Sequence, residues 1–379
     1  MAVGDVFEAQ IEEWADPETG ALMRRLTGDG SENSHLYFTC TSFVGDDAER
    51  VIISSDRAGG GAYFLLEIAQ RRMVQVTENL VSSFSQACLD PGGRLFHFQD
   101  AALKVTDLAT LQGEDLYRVP DGFRPALPTC TADGSHVAFA YMERSELSTE
   151  TGVIYSTMAE RYYQHPACVI MRIDTGSGTA EAVWGERNWI SHVCIHPTRP
   201  DLILFCHEGG SHVTQRMWTV DASVRHGRQA QPLFRQEFNE SCCHEYFTRT
   251  GEVGFQVIGE SEGEALHYNC FVRPDGSWLR QFLLPGPRPG HIQSNSDNTL
   301  VVGDCGYLTP DDPEGRAYMS LIRHVNGRGQ VTRLCRHDSS WTTQQSHPHP
   351  IFSPDDRWAL FTSDAGGPCN VYMADVTSL

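Results

Sequence analysis

One local pattern recurs along this chain: an apolar strand, a tight turn rich in Gly, Pro, Asp and Ser, and a second apolar strand. The clearest copy covers residues 351–361, Ile-Phe-Ser-Pro-Asp-Asp-Arg-Trp-Ala-Leu-Phe. Six similar turns lie at residues 43–47, 89–93, 131–134, 195–198, 247–251 and 294–298. Their spacing of roughly 40–60 residues is the period of a four-stranded propeller blade. The sequence therefore predicts an all-β protein, a seven-bladed β-propeller that forms a single domain over residues 1–379.

The start of the chain is predicted to complete the last repeat. After residues 370–375 the final unit has no fourth strand, whereas residues 22–27 resemble residues 73–77, which close the first unit. We therefore expect an N-terminal strand to close the ring, which removes exposed sheet edges. Residues 156–163 are the best candidate for a short helix, as an insertion within a blade.

The charge and composition exclude several classes of function. The net charge is −20, with 29 basic and 49 acidic residues, which argues against a nucleic-acid partner. Lys104 is the only lysine, so positive charge comes almost entirely from arginine, which binds carboxylates in a bidentate manner. Neither a signal peptide nor a membrane span is visible, and the 12 cysteines contain no Cys-x-x-Cys pair. We expect free thiols and a cytoplasmic protein that does not bind membranes.

Four histidines occupy the same position in four consecutive repeats. His192, His244, His291 and His349 each lie six residues before a residue of the following turn. An equal offset in a repeat predicts equivalent positions in space, so these imidazoles should face a common point. Such a group of imidazoles suits a metal site or a proton-transfer site.

The segment from Gln344 to Pro350 is the strongest local indication of a metal site. His347 and His349 are two residues apart, so they share a face if the flanking prolines hold the backbone extended. With His291 and the amide oxygen of Gln344 they make a set of three nitrogens and one oxygen, which suits Mn, Fe, Co, Ni or Zn. The alternative is that these histidines only line a polar, hydrated channel.

Further residues are candidates for catalysis and substrate binding. His244 is the candidate general base, with a fifth ligand or a substrate hydrogen bonder as alternatives. Arg216 is predicted to pair with a substrate carboxylate, with a surface salt bridge as the alternative. We also expect His192 and His207 to contact substrate. A cysteine nucleophile at Cys242 or Cys243 is disfavoured, because neighbours on a strand point to opposite faces and at most one would face the site.

Taken together, these segments resemble the bacterial oligogalacturonate lyase family. The resemblance is clearest at residues 205–209, 216–218, 240–245, 291–295, 344–350 and 360–364. It implies a seven-bladed propeller enzyme that splits short acidic oligosaccharides by β-elimination with a manganese ion. It places the metal ligands at His291, Gln344, His347 and His349, the base at His244 and an active-site arginine at Arg216.

Two other classes of function remain open from the sequence. A propeller can serve as a non-catalytic interaction scaffold, since fold does not determine function. Another metal-dependent sugar enzyme, such as a hydrolase or an epimerase, is the second alternative. Hydrolysis usually requires two carboxylates across the bond that is cut, and the sequence shows no acidic pair near the histidines.

Overall fold

The structure is a computed structural model that describes residues 2–78, 86–147, 157–286, 288–306 and 310–378. It is an all-β protein whose described helices are one α-helix and two short 3₁₀ helices. The α-helix covers Met158–Tyr163, within the predicted stretch, of which Ser156 lies outside the described residues. Among the described residues, no helix has the length and apolar character needed to cross a membrane.

The strands of the first half of the chain are β1 Val6–Glu8, β2 Glu12–Ala15, β3 Leu22–Arg25, β4 Asn33–His35, β5 Arg50–Ser55, β6 Ala62–Glu67, β7 Arg72–Gln75, β8 Ala87–Leu89, β9 Arg94–Gln99, β10 Ala102–Asp107, β11 Gly113–Arg118, β12 Phe123–Pro125, β13 Thr129–Cys130, β14 His136–Glu143, β15 Ala167–Asp174 and β16 Ala180–Arg187. The strands of the second half are β17 Ile190–Ile195, β18 Leu202–His207, β19 Met217–Asp221, β20 Gln231–Pro232, β21 Ser241–Phe247, β22 Val253–Ser261, β23 Glu264–Val272, β24 Arg280–Leu284, β25 Ile292–Ser294, β26 Leu300–Gly303, β27 Tyr318–Val325, β28 Arg328–Arg336, β29 Ile351–Phe352, β30 Trp358–Ser363 and β31 Asn370–Asp375. The 3₁₀ helices cover Gly210–His212 and Val376–Ser378.

These strands form six sheets. Their strand orders are β1-β7-β6-β5-β4 in sheet I, β11-β10-β9-β8 in sheet II, β12-β14-β15-β16 with β13 beside β14 in sheet III, β17-β18-β19-β20 in sheet IV, β21-β22-β23-β24-β28-β27-β26-β25 in sheet V, and β2-β3-β31-β30-β29 in sheet VI. The two halves of sheet V are joined by one parallel pair, Leu283 with Arg328, and all other ladders are antiparallel.

Each predicted strand–turn–strand unit is an antiparallel hairpin held in the same way. The backbone N–H before each turn donates to a carbonyl at or next to the start of the following strand. The donor and acceptor pairs are Val44 to Arg50, Asp90 to Arg94, Thr131 to His136, His196 to Leu202, Thr248 to Glu252, Asn295 to Leu300 and Ser353 to Trp358. This shared bond explains why one turn pattern recurs in the sequence.

Sheet VI combines the two ends of the described chain. β3 pairs with β31 in antiparallel register, with Met23 opposite Ala374 and Arg25 opposite Tyr372. The bond from the Val371 N–H to the Thr27 hydroxyl continues this contact at 3.1 Å. Residues that are far apart in sequence therefore complete one sheet.

Apolar side chains pack between successive sheets rather than in one central core. Sheets I and II share a cluster with Ile52 and Leu95, sheets II and III one with Phe98 and Phe139, and sheets III and IV one with Ile170. Sheets IV and V, V and VI, and VI and I are joined by further clusters of the same kind. Inner strands of the sheets, such as β5, β18 and β30, are buried on both faces and therefore read as nearly continuous apolar runs.

Candidate active site

Three of the predicted metal ligands meet at one point. His291 directly precedes β25, His349 lies two residues before β29, and His347 lies just upstream. One ligand atom from each of the three side chains lies within 4.8 Å of the others, and the ring centroids are 4.2 to 5.6 Å apart. All three are buried, so the group forms a compact set of nitrogen donors.

The backbone that brings His347 and His349 together is not the extended strand predicted from sequence. β29 begins only at Ile351, and His349 has a φ of 50°, in the left-handed region. That conformation is costly for a residue other than glycine and is most often retained at functional sites. The prediction of an extended backbone with a shared face was therefore wrong, although the two side chains do converge.

Asp304 fixes the orientation of His291. One carboxylate oxygen, Oδ2, lies 2.7 Å from His291 Nδ1, and the other, Oδ1, accepts the His291 backbone N–H at 2.6 Å. Asp304 is fully buried. Because the carboxylate binds Nδ1, Nε2 is the nitrogen that remains available for a metal. A carboxylate is a usual second partner of a metal-binding histidine.

The protonation states of the three imidazoles fit a divalent metal ion. Burial lowers the pKa of His347 and lowers the pKa values of His291 and His349 well below the ordinary range, so all three are neutral near pH 7. Neutral imidazole is the form that binds metal. In addition, His347 Nδ1 is buried without a hydrogen-bond partner among the described residues, as expected of an atom reserved for a metal. The residues present therefore fit the predicted centre.

Gln344, the fourth predicted ligand, lies in the same segment as His347. Its carbonyl accepts the His347 N–H at 3.3 Å, and its side chain borders the cavity next to His244. It is partly buried, unlike the three histidines.

His244 lies beside the three histidines on a distorted part of β21. Its ring centroid is 4.5 Å from that of His291. The pairing of β21 with β22 shifts register between Cys243 and Tyr246, and His244 has a φ of 55°. A β-bulge of this kind redirects a side chain, and here it explains why a strand residue reaches the metal ligands.

Gln256 determines which nitrogen of His244 is basic. Its amide Nε2 donates to the Pro289 carbonyl at 3.0 Å, so its Oε1 faces His244 Nδ1 at 2.9 Å. An amide oxygen only accepts, and therefore Nδ1 carries the proton and Nε2 holds the free lone pair. Burial, assisted by the charge of Arg288, lowers the pKa of His244 to about 3. The ring is thus a neutral potential proton acceptor at physiological pH.

Arg216 lies between two carboxylates, which the sequence did not predict. Its Nε donates to Glu245 Oε2 at 2.8 Å and its Nη1 to Glu208 Oε1 at 2.9 Å, while Nη2 contacts both acids. The group is buried, and Glu245 is fully buried. The arginine holds the pKa of Glu208 at about 2 and that of Glu245 well below its usual range, although burial alone would raise both. Arg216 borders the cavity, but it is neither a free cation nor a surface salt bridge.

The finding of Glu208 and Glu245 corrects the statement that no acidic pair lies near the histidines. His192 Nδ1 is 3.0 Å from Glu245 Oε1, and its Nε2 is 3.3 Å from the Tyr37 hydroxyl. His192, Cys206 and Glu245 could geometrically hold a metal, but Arg216 already neutralises that carboxylate.

Two further predictions need correction. His207 Nε2 lies 2.6 Å from Glu186 Oε1, and its ring lies against that of Trp218, so the structure does not bring it to either site cavity. Cys242 and Cys243 both border the cavity, although they are adjacent residues in regular register on β21. Burial raises the pKa values of both thiols, which leaves no reactive thiolate.

Two adjoining cavities open beside these residues. The larger, of about 590 Å³, is bordered by His291, His347, Trp341 and Arg316, among others. The other, of about 500 Å³, is bordered by Tyr37, His192, Arg216 and Gln344, among others. Both volumes are typical of small-molecule sites.

Besides Glu208 and Glu245, three further residues at the site were not predicted from the sequence: Asp304, Gln256 and Arg288. Asp304 directly follows β26, the strand paired with β25, so it lies opposite His291. A polar residue within an apolar strand marks Gln256, in Phe-Gln-Val, as a buried amide that needs partners. Arg288, between two prolines just ahead of His291, carried no distinctive signal.

The whole chain is similar to known proteins of one kind. Residues 1–378 match the family model described as oligogalacturonate lyase. The oligogalacturonate lyase of Dickeya dadantii (strain 3937) is 27% identical over 99% of this chain and 98% of its own, and the oligogalacturonide lyase of Pectobacterium atrosepticum is 26% identical over the same shares. A solved oligogalacturonate lyase in complex with manganese has a TM-score of 0.87 at 28% identity, covering 99% of this chain and 98% of that one. The oligogalacturonate lyase of Vibrio parahaemolyticus has a TM-score of 0.86 at 25% identity, covering 99% of each chain.

Proposed function

The chain belongs to the oligogalacturonate lyase family, and on that basis we propose that it is a carbon–oxygen lyase that cleaves short oligogalacturonides by β-elimination. The observation that carries the proposal is the contact between the three buried, neutral histidines and a fourth imidazole, His244, whose Nε2 is free to accept a proton. β-Elimination from a uronate needs a base for the C5 proton and a positive centre that stabilises the negative charge next to the carboxylate, and a bound metal ion can supply that centre.

We propose that the metal is Mn²⁺, as in the solved relative, held by His291, His347 and His349 with Gln344 as the fourth ligand. When bound, the ion supplies a positive charge that stabilises the negative charge developing next to the substrate carboxylate. Asp304 keeps His291 oriented for this role.

His244 is the proposed general base. Its Nε2 takes the C5 proton of the uronate, and the electron pair of the C5–H bond forms the C4–C5 double bond. The C4–O4 glycosidic bond breaks, and O4 leaves with the bonding electron pair and takes a proton from water. Gln256 holds the proton on Nδ1 throughout, so the ring enters the reaction with its basic nitrogen toward the substrate. The product is a 4,5-unsaturated uronate.

The alternative of a hydrolase is disfavoured by the state of the acids. A glycosidase needs one carboxyl group that is protonated near neutral pH. Arg216 keeps the pKa of Glu208 at about 2 and that of Glu245 well below its usual range, so neither can donate a proton. A non-catalytic scaffold has no need of neutral, converging imidazoles.

We infer that the sheets are the seven blades of a single-domain β-propeller closed by an N-terminal strand. The seven hairpins and the junction of sheet V at a single residue pair support seven units. Contacts of β8 with β13, β13 with β17, β17 with β21, and β25 with β29 support first strands around a common axis. The β3–β31 ladder supports the closure.

We also propose that the protein works in the cytoplasm. Its 12 cysteines are all free, and nine of them are buried. Free thiols persist in a reducing compartment.

The experiment that tests the function measures ultraviolet absorbance of the conjugated product when the Mn²⁺-loaded protein is mixed with digalacturonate and trigalacturonate. The absorbance should rise together with the number of new reducing ends. A His347→Ala, His349→Ala double variant, which removes two ligands, should show neither signal. New reducing ends without absorbance would indicate a hydrolase, and the absence of both signals with the wild type would contradict the proposal.

A further inference from the structure

Two residues form the boundary between the two site cavities. His244 and Arg288 border both of them, and they are the pair that the two linings share. One cavity is bordered by the predicted metal ligands His291 and His347 and by Trp341. The other is bordered by Tyr37 and His192. A ligand that extends from one cavity into the other must pass between the proposed base and this arginine.

The guanidinium of Arg288 keeps unused donors. Its Nη1 donates to the Pro289 carbonyl at 3.1 Å and contacts the Gly290 carbonyl at 3.4 Å. In the part of the chain that the structure describes, no carboxylate forms an ion pair with it. Arg216, by contrast, has both of its neighbouring acids bound, and Arg316 pairs with Glu314 at 3.0 Å. Among the described residues, Arg288 is therefore a cation that borders both cavities and forms no ion pair with an acid.

The backbone that carries Arg288 is fixed relative to His244. Gln256, which binds His244 Nδ1, also donates to the Pro289 carbonyl. The thiol of Cys305 donates to the Arg288 carbonyl at 3.1 Å and accepts the Gly290 N–H at 3.0 Å. One amide thus connects the base and the arginine segment, so the position of the guanidinium does not depend on a free loop.

We propose that Arg288 binds a uronate carboxylate at the junction of the two cavities, so that the substrate spans both with the bond to be cut beside His244. This inference rests on the proposed lyase function. A protein with a net charge of −20 needs a local cation to hold a polyanion, and a guanidinium matches a carboxylate with two parallel hydrogen bonds.

The test compares Arg288→Gln, Arg288→Lys and Arg288→Ala with a matched control, Arg273→Gln. Arg273 is exposed and directly follows β23 in sheet V. Its guanidinium lies over the ring of Trp278, away from both cavities. The Gln variant should lose ~10²-fold in kcat/KM on digalacturonate, mainly through KM, with Mn²⁺ content and melting temperature unchanged. The Lys variant should retain an intermediate activity, because it keeps the positive charge but cannot form the two parallel hydrogen bonds of a guanidinium. Guanidinium ion should partly restore the Ala variant.

Several results would overturn the inference. An Arg288→Gln variant as active as Arg273→Gln would show that the guanidinium does not contact substrate. Loss of Mn²⁺ from the Gln and Lys variants alike would show that Arg288 supports the metal segment instead. A wild type that gives no unsaturated product would refute the lyase function itself, which separates that failure from failure of the Arg288 assignment.

Discussion

At the residue scale, the neighbours of each imidazole decide its chemistry. Gln256 leaves the Nε2 of His244 as its basic nitrogen, and Asp304 leaves the Nε2 of His291 available for a metal. The two rings lie 4.5 Å apart, and one contacts an amide whereas the other contacts a carboxylate. In the proposed site these partners, more than the histidines themselves, distinguish the base from the ligand.

Replacing His244 by Ala should abolish elimination and spare the metal. Loss of a positioned general base costs ~10²–10⁴ in kcat. Metal content by elemental analysis should stay at the wild-type level, and His244→Gln should not recover activity, because an amide cannot accept the proton. If His244→Ala lost its metal, His244 would be a ligand rather than the base.

Replacing Asp304 by Asn should weaken metal binding by ~10–100-fold, the usual cost of removing the carboxylate behind a ligating histidine. Metal titration of the apoprotein gives the affinity directly. Asp90→Asn is the control, since Asp90 is equally buried but pairs with Arg94 in sheet II. Equal affinity in both variants would mean that Asp304 only supports the fold.

The sequence was sufficient to predict which histidines come together, but not which side chains bind and orient the residues of the site. An equal repeat offset located His192, His244, His291 and His349. It could not reveal that Arg216 is neutralised, because Glu245 reaches it through a strand bulge and Glu208 through a loop. It also could not reveal Asp304, which follows His291 by 13 residues and meets it only once β25 and β26 pair.

At the element scale, irregular strand pairing builds the site. The β17–β18 pairing shifts register between Ile190 and Val193, and the β21–β22 pairing shifts between Cys243 and Tyr246. His192 lies in the first bulge, and His244 and Glu245 lie in the second. The rule that alternate residues of a strand share a face fails at these places, since a bulge changes which side chains point to the same side.

Breaking the buried ion pairs that Arg216, just before β19, forms with Glu245 of β21 and with Glu208 after β18 should strongly destabilise the fold. Arg216→Ala leaves Glu245 charged and buried without its partner, a change that costs ~3–5 kcal/mol. Urea unfolding should show this loss, and adding Glu245→Gln should relieve part of it. An unchanged unfolding midpoint would indicate that water replaces the arginine.

At the scale of the whole molecule, many histidines are buried in the neutral form. Burial lowers the pKa values of His97 in sheet II, His196 after β17 and His324 in sheet V to about 4. The unfolded chain binds these protons near pH 6.5, well before the folded protein does. Protonation therefore favours the unfolded state across all parts of the fold.

The free energy of unfolding should accordingly have its full value above about pH 6.5 and should fall as the pH decreases toward about 4. Thermal unfolding across that window measures the slope. In a His97→Gln variant, the decrease in the free energy of unfolding over this window should be smaller by up to about 3 kcal/mol, since one pKa unit corresponds to 1.36 kcal/mol. A melting temperature that stays constant between these limits would contradict the assigned shifts.

The bond between Thr27 and Val371 joins residues 344 positions apart, and this has a consequence for how the protein is made. A ribosome adds about 5–20 residues per second, so β3 waits on the order of tens of seconds for the strand that completes its sheet. During that interval its unpaired backbone edge can associate with other nascent chains. We therefore expect slower translation to lower the yield of correctly assembled protein, whatever the stability finally reached.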